Sequence, residues 1–119
     1  MKPKPTPQTS VRQFAPDITV IAITGRLNLG PTLNSVEEAI RKQIEGGSRK
    51  LVLDLSSLSY IDSSAIGAIV MYAGRMKQAG GRMRVAGAQG VVLRALEVVR
   101  LGVVVPMDTG VEPACAALV

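Results

Sequence analysis

Histidine is absent from the sequence, and cysteine occurs once, as Cys115. Histidine is the commonest general base and metal ligand near neutral pH, so its absence removes most hydrolase and metalloenzyme mechanisms. A single cysteine can neither close an internal disulfide nor build a zinc cluster, and it is best interpreted as a small buried side chain. We therefore expect neither an enzyme nor a bound cofactor.

Aromatic residues are also scarce, since only Phe14, Tyr60 and Tyr72 occur and none is interleaved with basic residues. Single-stranded nucleic acids are usually bound by stacking of bases on aromatic side chains. The net charge of +5 still raises nucleic acid, membrane headgroups or an acidic protein surface as partners. No apolar run approaches the length of a membrane span. We expect no direct nucleic-acid partner and no membrane partner.

Glycine-rich phosphate loops and paired carboxylates are missing as well. The stretches AGG and AGAQG lack the Lys-Ser/Thr ending of a nucleotide-binding loop, and we interpret them as turns. Asp54 and Asp62 lie on either side of a loop, and no spacing argument brings them together for acid–base work.

The first ten residues differ in composition from the rest of the chain. Three prolines alternate there with polar residues, which favours an extended tail over 1–10 and a single domain over 11–119. The two lysines of this tail are not followed by the apolar stretch of a signal peptide. We predict a cytoplasmic protein.

Apolar periodicity predicts alternating strands and helices along the domain. The expected elements are a hairpin over 11–14 and 18–24, a helix over 33–44, a buried strand over 50–55, a helix over 63–79, a strand over 82–85, a helix over 92–99, a strand over 103–105 and a short helix from Glu112. This order predicts an α/β fold with a mixed sheet, an N-terminal antiparallel hairpin, parallel crossovers and about four helices.

The helix over 63–79 has the clearest pattern. Its apolar side chains recur at helical spacing, and we predict that they form its buried face: Ile66, Ile69, Val70, Ala73 and Met76. The residues directly before it are polar. Asp62 or Ser63 is suited to be its N-cap, because a short side-chain oxygen can accept from the free N–H groups of the first turn. The same free N–H groups can accommodate a phosphate.

The segment LSSLSYIDSSAIG resembles the approach strand and switch turn of the STAS family, specifically the bacterial anti-sigma-factor antagonists. The segments ITGRLNLG, LVLDLSSLSYIDS and AGGRMRVAG follow one another in the family's order, and the resemblance extends over about 11–105. Ala65 stands where the family more commonly has glycine, a change that is fully compatible with a helix.

This resemblance implies a phosphorylation switch. Ser63 matches the serine that is phosphorylated by a partner acting both as anti-sigma factor and as serine kinase, and a serine phosphatase restores it. The unphosphorylated antagonist binds the anti-sigma factor and frees the sigma factor, which regulates transcription. The resemblance implies the following switch loop and partner-binding residues: Tyr60, Ile61, Asp62, Ser63, Ser64 and Gly67.

Two other functions stay open from the sequence. One is a STAS scaffold or adaptor whose hydroxyl is unused, and the other is a nucleotide-sensing module, although no phosphate cradle supports it. Both a monomer and a homodimer are compatible with the sequence. We also expect an acid-free basic cluster at the far end of the helix from Ser63, which is either a solvated face or a second contact surface: Arg75, Lys77, Arg82 and Arg84.

Overall fold

The computed structural model describes residues 8–119, so most of the predicted tail, 1–7, lies outside the described residues. The strands are β1 (Thr9–Ala15), β2 (Ile18–Ile23), β3 (Gly25–Leu27), β4 (Lys50–Asp54), β5 (Leu58–Ile61), β6 (Arg82–Ala86) and β7 (Met107–Asp108). The α-helices are α1 (Pro31–Glu45), α2 (Ser63–Gln78), α3 (Gly90–Val98) and α4 (Val111–Leu118), and a short 3-10 helix covers Leu101–Val103. None of the helices within 8–119 is both long and apolar enough to cross a membrane.

The main sheet has five strands in the order β1-β2-β4-β6-β7. The β1–β2 pair is antiparallel, and every other neighbouring pair in this sheet is parallel. A separate parallel pair joins β3 to β5. The mixed α/β fold with an N-terminal hairpin is thereby confirmed, although β1 begins at Thr9, two residues before the predicted start of the hairpin.

Both faces of the sheet are covered, as a parallel sheet requires. Successive side chains of β4 point to opposite faces, so Leu51 and Leu53 join the larger cluster with α1, α2 and α3. Val52 points the other way and packs with Ala114 and Cys115 of α4. Cys115 is 1% exposed, and burial raises the pKa of its thiol. It is the small buried side chain that the sequence predicted.

Helix α2 buries most of the predicted face, since Ile69 and Met76 are buried and Ile66 and Ala73 pack, partly buried, against the core. Its buried residues are Ala65, Ala68, Ile69, Tyr72 and Met76. Val70 was wrongly assigned to the core, since it is 37% exposed. Ala65, Ala68 and Tyr72 are buried in the core as well, although the pattern did not assign them to it.

The predicted strand over 103–105 is wrong. The Leu101 carbonyl accepts from the N–H groups of Val104 and Val105, at 2.9 and 2.8 Å, which closes a tight helical turn. Leu101 and Val105 are buried one turn apart, whereas Val103 is 83% exposed. The valines favour a strand, but the helical spacing of the buried Leu101 and Val105 decides the conformation here. The next strand of the sheet begins at Met107, after Pro106.

The turn before this 3-10 helix contains backbone strain at Arg100. Its φ of 55° and ψ of 44° place it in the left-handed region, where a β-carbon is unfavourable. We expect Arg100→Gly to raise the free energy of unfolding by up to about 1 kcal/mol, and Arg100→Val to lower it by about 1–2 kcal/mol. Urea unfolding of the two variants beside the wild type measures both effects. Equal stability of the glycine and valine variants would contradict this prediction.

Candidate functional site at the start of helix α2

The β3–β5 pair brings two distant segments of the chain to one end of the domain. Leu27 pairs with Ile61 in parallel register, so the residues that follow the two strands emerge side by side. Sequence reasoning missed both strands and treated the second as loop, because they have only three and four residues. The segment after Leu27 therefore belongs to the site, although no predicted site residue lies in it.

Asp62 joins the two segments through two hydrogen bonds and caps α2 with a third. Its N–H donates to the Leu27 carbonyl at 3.1 Å. Its Oδ2 accepts from the Leu29 N–H at 2.9 Å, and its Oδ1 accepts from the Ala65 N–H at 2.9 Å. The bonds from Leu29 and then Ala65 favour the charged carboxylate and lower its pKa. Asp62, and not Ser63, is the side-chain N-cap of α2.

Ser63 and Ser64 are the first two residues of α2, and both are exposed. Because Asp62 provides the cap, the helix does not depend on the Ser63 hydroxyl for its start. The first turn still carries the partial positive charge of a helix N-terminus. Ser63 therefore combines an accessible hydroxyl with a backbone environment that tolerates negative charge.

An exposed stripe runs along α2 from Ser63. Each member lies three or four residues from a member on the neighbouring turn, so they share one side of the helix. They are small or apolar, with Val70 37% and Met71 44% exposed. We call this surface the α2 stripe: Ser63, Gly67, Val70, Met71 and Gly74. Gly67 lies within the helix, and a β-carbon there would have no neighbour within 4 Å.

The remaining predicted residues separate into surface and core. Tyr60 is exposed on β5, and the Arg26 guanidinium lies over its ring, 4.2 Å from the centroid. Ile61 is 6% exposed and belongs to the hydrophobic core, so its side chain points inward and only its backbone lies at the site. Leu29 is 74% exposed, and its backbone is held by Asp62.

Asp54 and Asp62 have separate hydrogen-bond partners. Asp54 Oδ1 accepts from the Ser56 N–H at 3.0 Å, which stabilises the turn after β4. Asp62 has its own partners in Leu29 and Ala65. Each carboxylate thus has a structural role in its own turn.

The basic cluster at the other end of α2 has structural contacts. Arg84 forms a two-pronged ion pair with Asp108, with its Nε 2.7 Å from Oδ2, which corrects the expectation of an acid-free cluster. Arg82 donates to the Leu118 carbonyl at 3.0 Å, at the end of α4. Arg75 lies over the ring of Tyr72. Three of the four basic side chains of the cluster therefore contact other groups of the protein and are not only solvated.

Fold and site together define a small mixed α/β domain with an aspartate-capped helix that starts in two exposed serines. The chain belongs to the STAS domain family, whose model matches residues 10–114.

Solved structures share this fold at low sequence identity. A putative anti-sigma factor antagonist from Thermotoga maritima is 20% identical, with a TM-score of 0.83 over 92% of this chain and 93% of that one. An anti-sigma factor antagonist from Mycobacterium paratuberculosis is 20% identical, with a TM-score of 0.81 over 92% of each chain. The Bacillus cell fate determinant SpoIIAA, in its phosphorylated form, is 19% identical, with a TM-score of 0.73 over 93% and 99%.

Proposed function

We propose that this protein is a cytoplasmic anti-sigma-factor antagonist that acts by binding and not by catalysis. Unphosphorylated, it binds an anti-sigma factor with serine kinase activity through the start of α2 and the α2 stripe, and thereby frees a sigma factor. Phosphorylation of Ser63 ends this binding, and a serine phosphatase restores it. The proposal follows the family to which the chain belongs and the antagonists whose fold it shares.

The observation that carries the proposal is that Asp62 caps helix α2 while Ser63, the next residue, is exposed. Asp62 caps the helix, so the exposed hydroxyl of Ser63 is available for modification without loss of the cap. The apolar side chains of the α2 stripe continue from Ser63 along one face, where a protein partner would bury them. Leu29, 74% exposed beside the capping carboxylate, extends this surface.

The electrostatics favour a switch of association over a switch of folding. A phosphate adds about −1.5 to −2 charges at neutral pH. Its attraction to the helix N-terminus is about 0.3 to 1 kcal/mol at an exposed site, and the ionised Asp62 beside it opposes this gain. A partner that covers the first turn would have to desolvate the new charge, and each ~1.4 kcal/mol so lost weakens binding tenfold.

Affinity capture from the native host tests the proposal. Wild type is expected to retain a histidine-kinase-like ATPase, and Ser63→Asp to lose it, with affinity reduced at least about tenfold. Ser63→Ala should retain binding but accept no phosphate, as mass spectrometry of the captured protein would report. Ser35→Asp is the matched control, since it makes the same change at an exposed position of α1, outside the proposed contact surface, and should retain the partner.

Two outcomes would count against the switch. Equal capture by wild type and Ser63→Asp, with no phosphate on Ser63 in the host, would favour a STAS scaffold or adaptor, and stable self-assembly in light scattering would support that function further. Binding of common nucleotides in calorimetry would instead favour a nucleotide-sensing module.

The variant Gly67→Ala should change the stability of the fold and the affinity for the partner in opposite directions. In the interior of α2, alanine is favoured over glycine, and the added β-carbon meets no atom within 4 Å. We expect the free energy of unfolding to rise by about 0.5–1 kcal/mol, and partner affinity to fall because a methyl group then projects from the α2 stripe. Denaturant unfolding and titration of the captured partner measure the two effects. Unchanged affinity would remove Gly67 from the proposed contact surface.

A further inference from the structure

Strand β6 has a half-open edge at the end of the domain away from Ser63. Strand β7 pairs only with Val85 and Ala86, so within residues 8–119 the first three residues of β6 have no neighbouring strand on that side. The chain before β7 turns away as the 3-10 helix instead of continuing along the edge. An edge of this kind is a template for pairing with another extended chain.

Within residues 8–119, the backbone groups of β6 that face this edge without a partner strand are those of Met83, a residue that is 5% exposed overall. The Arg82 N–H donates toward β4, to the Arg49 carbonyl, whereas the Val85 N–H donates toward β7, to the Pro106 carbonyl. Backbone groups of successive strand residues alternate in direction, so Met83 presents its N–H and C=O on the same side as Val85. A chain laid beside β6 would meet both groups.

A cavity of about 180 Å³ lies along this open edge. Its apolar wall includes Ala73, Met83, Val104 and Pro106. Val104 is 58% exposed, so the wall continues onto the outer surface. Apolar side chains of an incoming strand would therefore have a place to be buried.

The rim of the same cavity is cationic. Lys77, Arg82 and Arg84 line it, and none of its lining residues is acidic. Asp108 neutralises part of the charge through its ion pair with Arg84. The rim thus keeps a net positive charge, which comes from the exposed Lys77 and Arg82. A second copy of this chain, with a net charge of +5, is a poor electrostatic match for such a rim.

We propose that the open edge of β6 is a second binding site, which takes an extended segment of another protein in which carboxylate side chains alternate with apolar ones. The segment adds a strand beside Met83, buries apolar side chains against Val104 and Pro106, and places its carboxylates near Lys77 and Arg82. Helix α2, with 16 residues, is roughly 24 Å long and separates this site from Ser63.

The probe for this site is a short acetylated, fluorescein-labelled peptide in which glutamate alternates with valine. Fluorescence anisotropy at low salt should detect its binding to the full chain, and hydrogen exchange of the Met83 amide should slow by about tenfold with peptide in excess. The same peptide N-methylated on every residue should not bind, because neither of its edges then has N–H groups to donate to the strand. A lysine–valine peptide is the charge control.

Two variants locate the site on the protein. Lys77→Glu should weaken the peptide roughly tenfold, whereas Arg41→Glu, the same charge change on the exposed face of α1, should leave binding unchanged at moderate salt. Val104→Glu should abolish the interaction while keeping the fold, since Val104 is 58% exposed. Ser63→Asp should bind the peptide as wild type does, so this site can fail or succeed independently of the proposed switch.

Three results would overturn the proposal. One is the absence of peptide binding at low salt, and another is equal binding of the N-methylated peptide. The third is concentration-dependent dimerisation in sedimentation that Val104→Glu prevents, which would assign this edge to a second copy of the chain.

Discussion

Gly81→Ala is expected to lower the free energy of unfolding by about 3 kcal/mol, because a β-carbon at position 81 would clash where the end of α2 meets the start of the β4–β6 pair. A β-carbon there would lie 2.5 Å from Met76 Sδ and 2.7 Å from the Arg49 carbonyl oxygen. The methionine can move, but the carbonyl cannot, since it accepts from the Arg82 N–H at 2.8 Å at the start of the β4–β6 pair. Relief of the clash would therefore disturb the central parallel pair of the sheet.

Urea or guanidinium unfolding at neutral pH measures this effect. Gly74→Ala is the matched control, because residue 74 lies in the interior of α2 and an added β-carbon has no neighbour within 4 Å. That variant should be more stable than wild type by about 0.5–1 kcal/mol. A Gly81→Ala protein within about 0.5 kcal/mol of wild type would contradict the close approach.

The sequence predicted the elements whose periodicity extends over several turns or a whole buried strand. The apolar spacing between Pro31 and Gly46 indicated α1, and the continuous apolar run of β4 indicated a central strand. Parallel crossovers followed from their order. Short elements were missed or wrong because propensity is weak over three or four residues, where tertiary contacts decide the conformation.

Of the two segments that form the candidate site, only the one after Ile61 could be predicted, because the other depends on a very short strand. The segment after Ile61 could be assigned to a helix start from its residues alone, since aspartate and serine are favoured caps. The choice between Asp62 and Ser63 as cap required the backbone geometry of the first turn. The contribution of Leu29 depended on the three-residue strand β3 pairing with β5, which neither the motif nor the spacing indicates.

The residue that joins these two segments is expected to be important for stability. Asp62→Ala removes the cap of α2, worth about 1 kcal/mol, and the bond from the Leu29 N–H to a charged acceptor, worth about 1 kcal/mol more at this partly exposed position. We expect the free energy of unfolding to fall by about 2 kcal/mol at pH 7. Ser64→Ala, in the same exposed first turn, is the control and should change it by less than about 0.5 kcal/mol.

The dependence on pH identifies the charged carboxylate as the source of this stability. Hydrogen bonds from Leu29 and Ala65 lower the pKa of Asp62 from an unfolded value of about 3.8. The extra stability is therefore fully present above that value and is lost as the pH falls through the lower folded pKa. Unfolding curves at several pH values should show the difference between wild type and Asp62→Ala constant above about pH 5 and shrinking below pH 4. A difference that stays constant down to pH 2 would mean that the two N–H groups gain nothing from the negative charge. Leu29 and α2 would then be held together by packing and by the Asp62 backbone bond to Leu27.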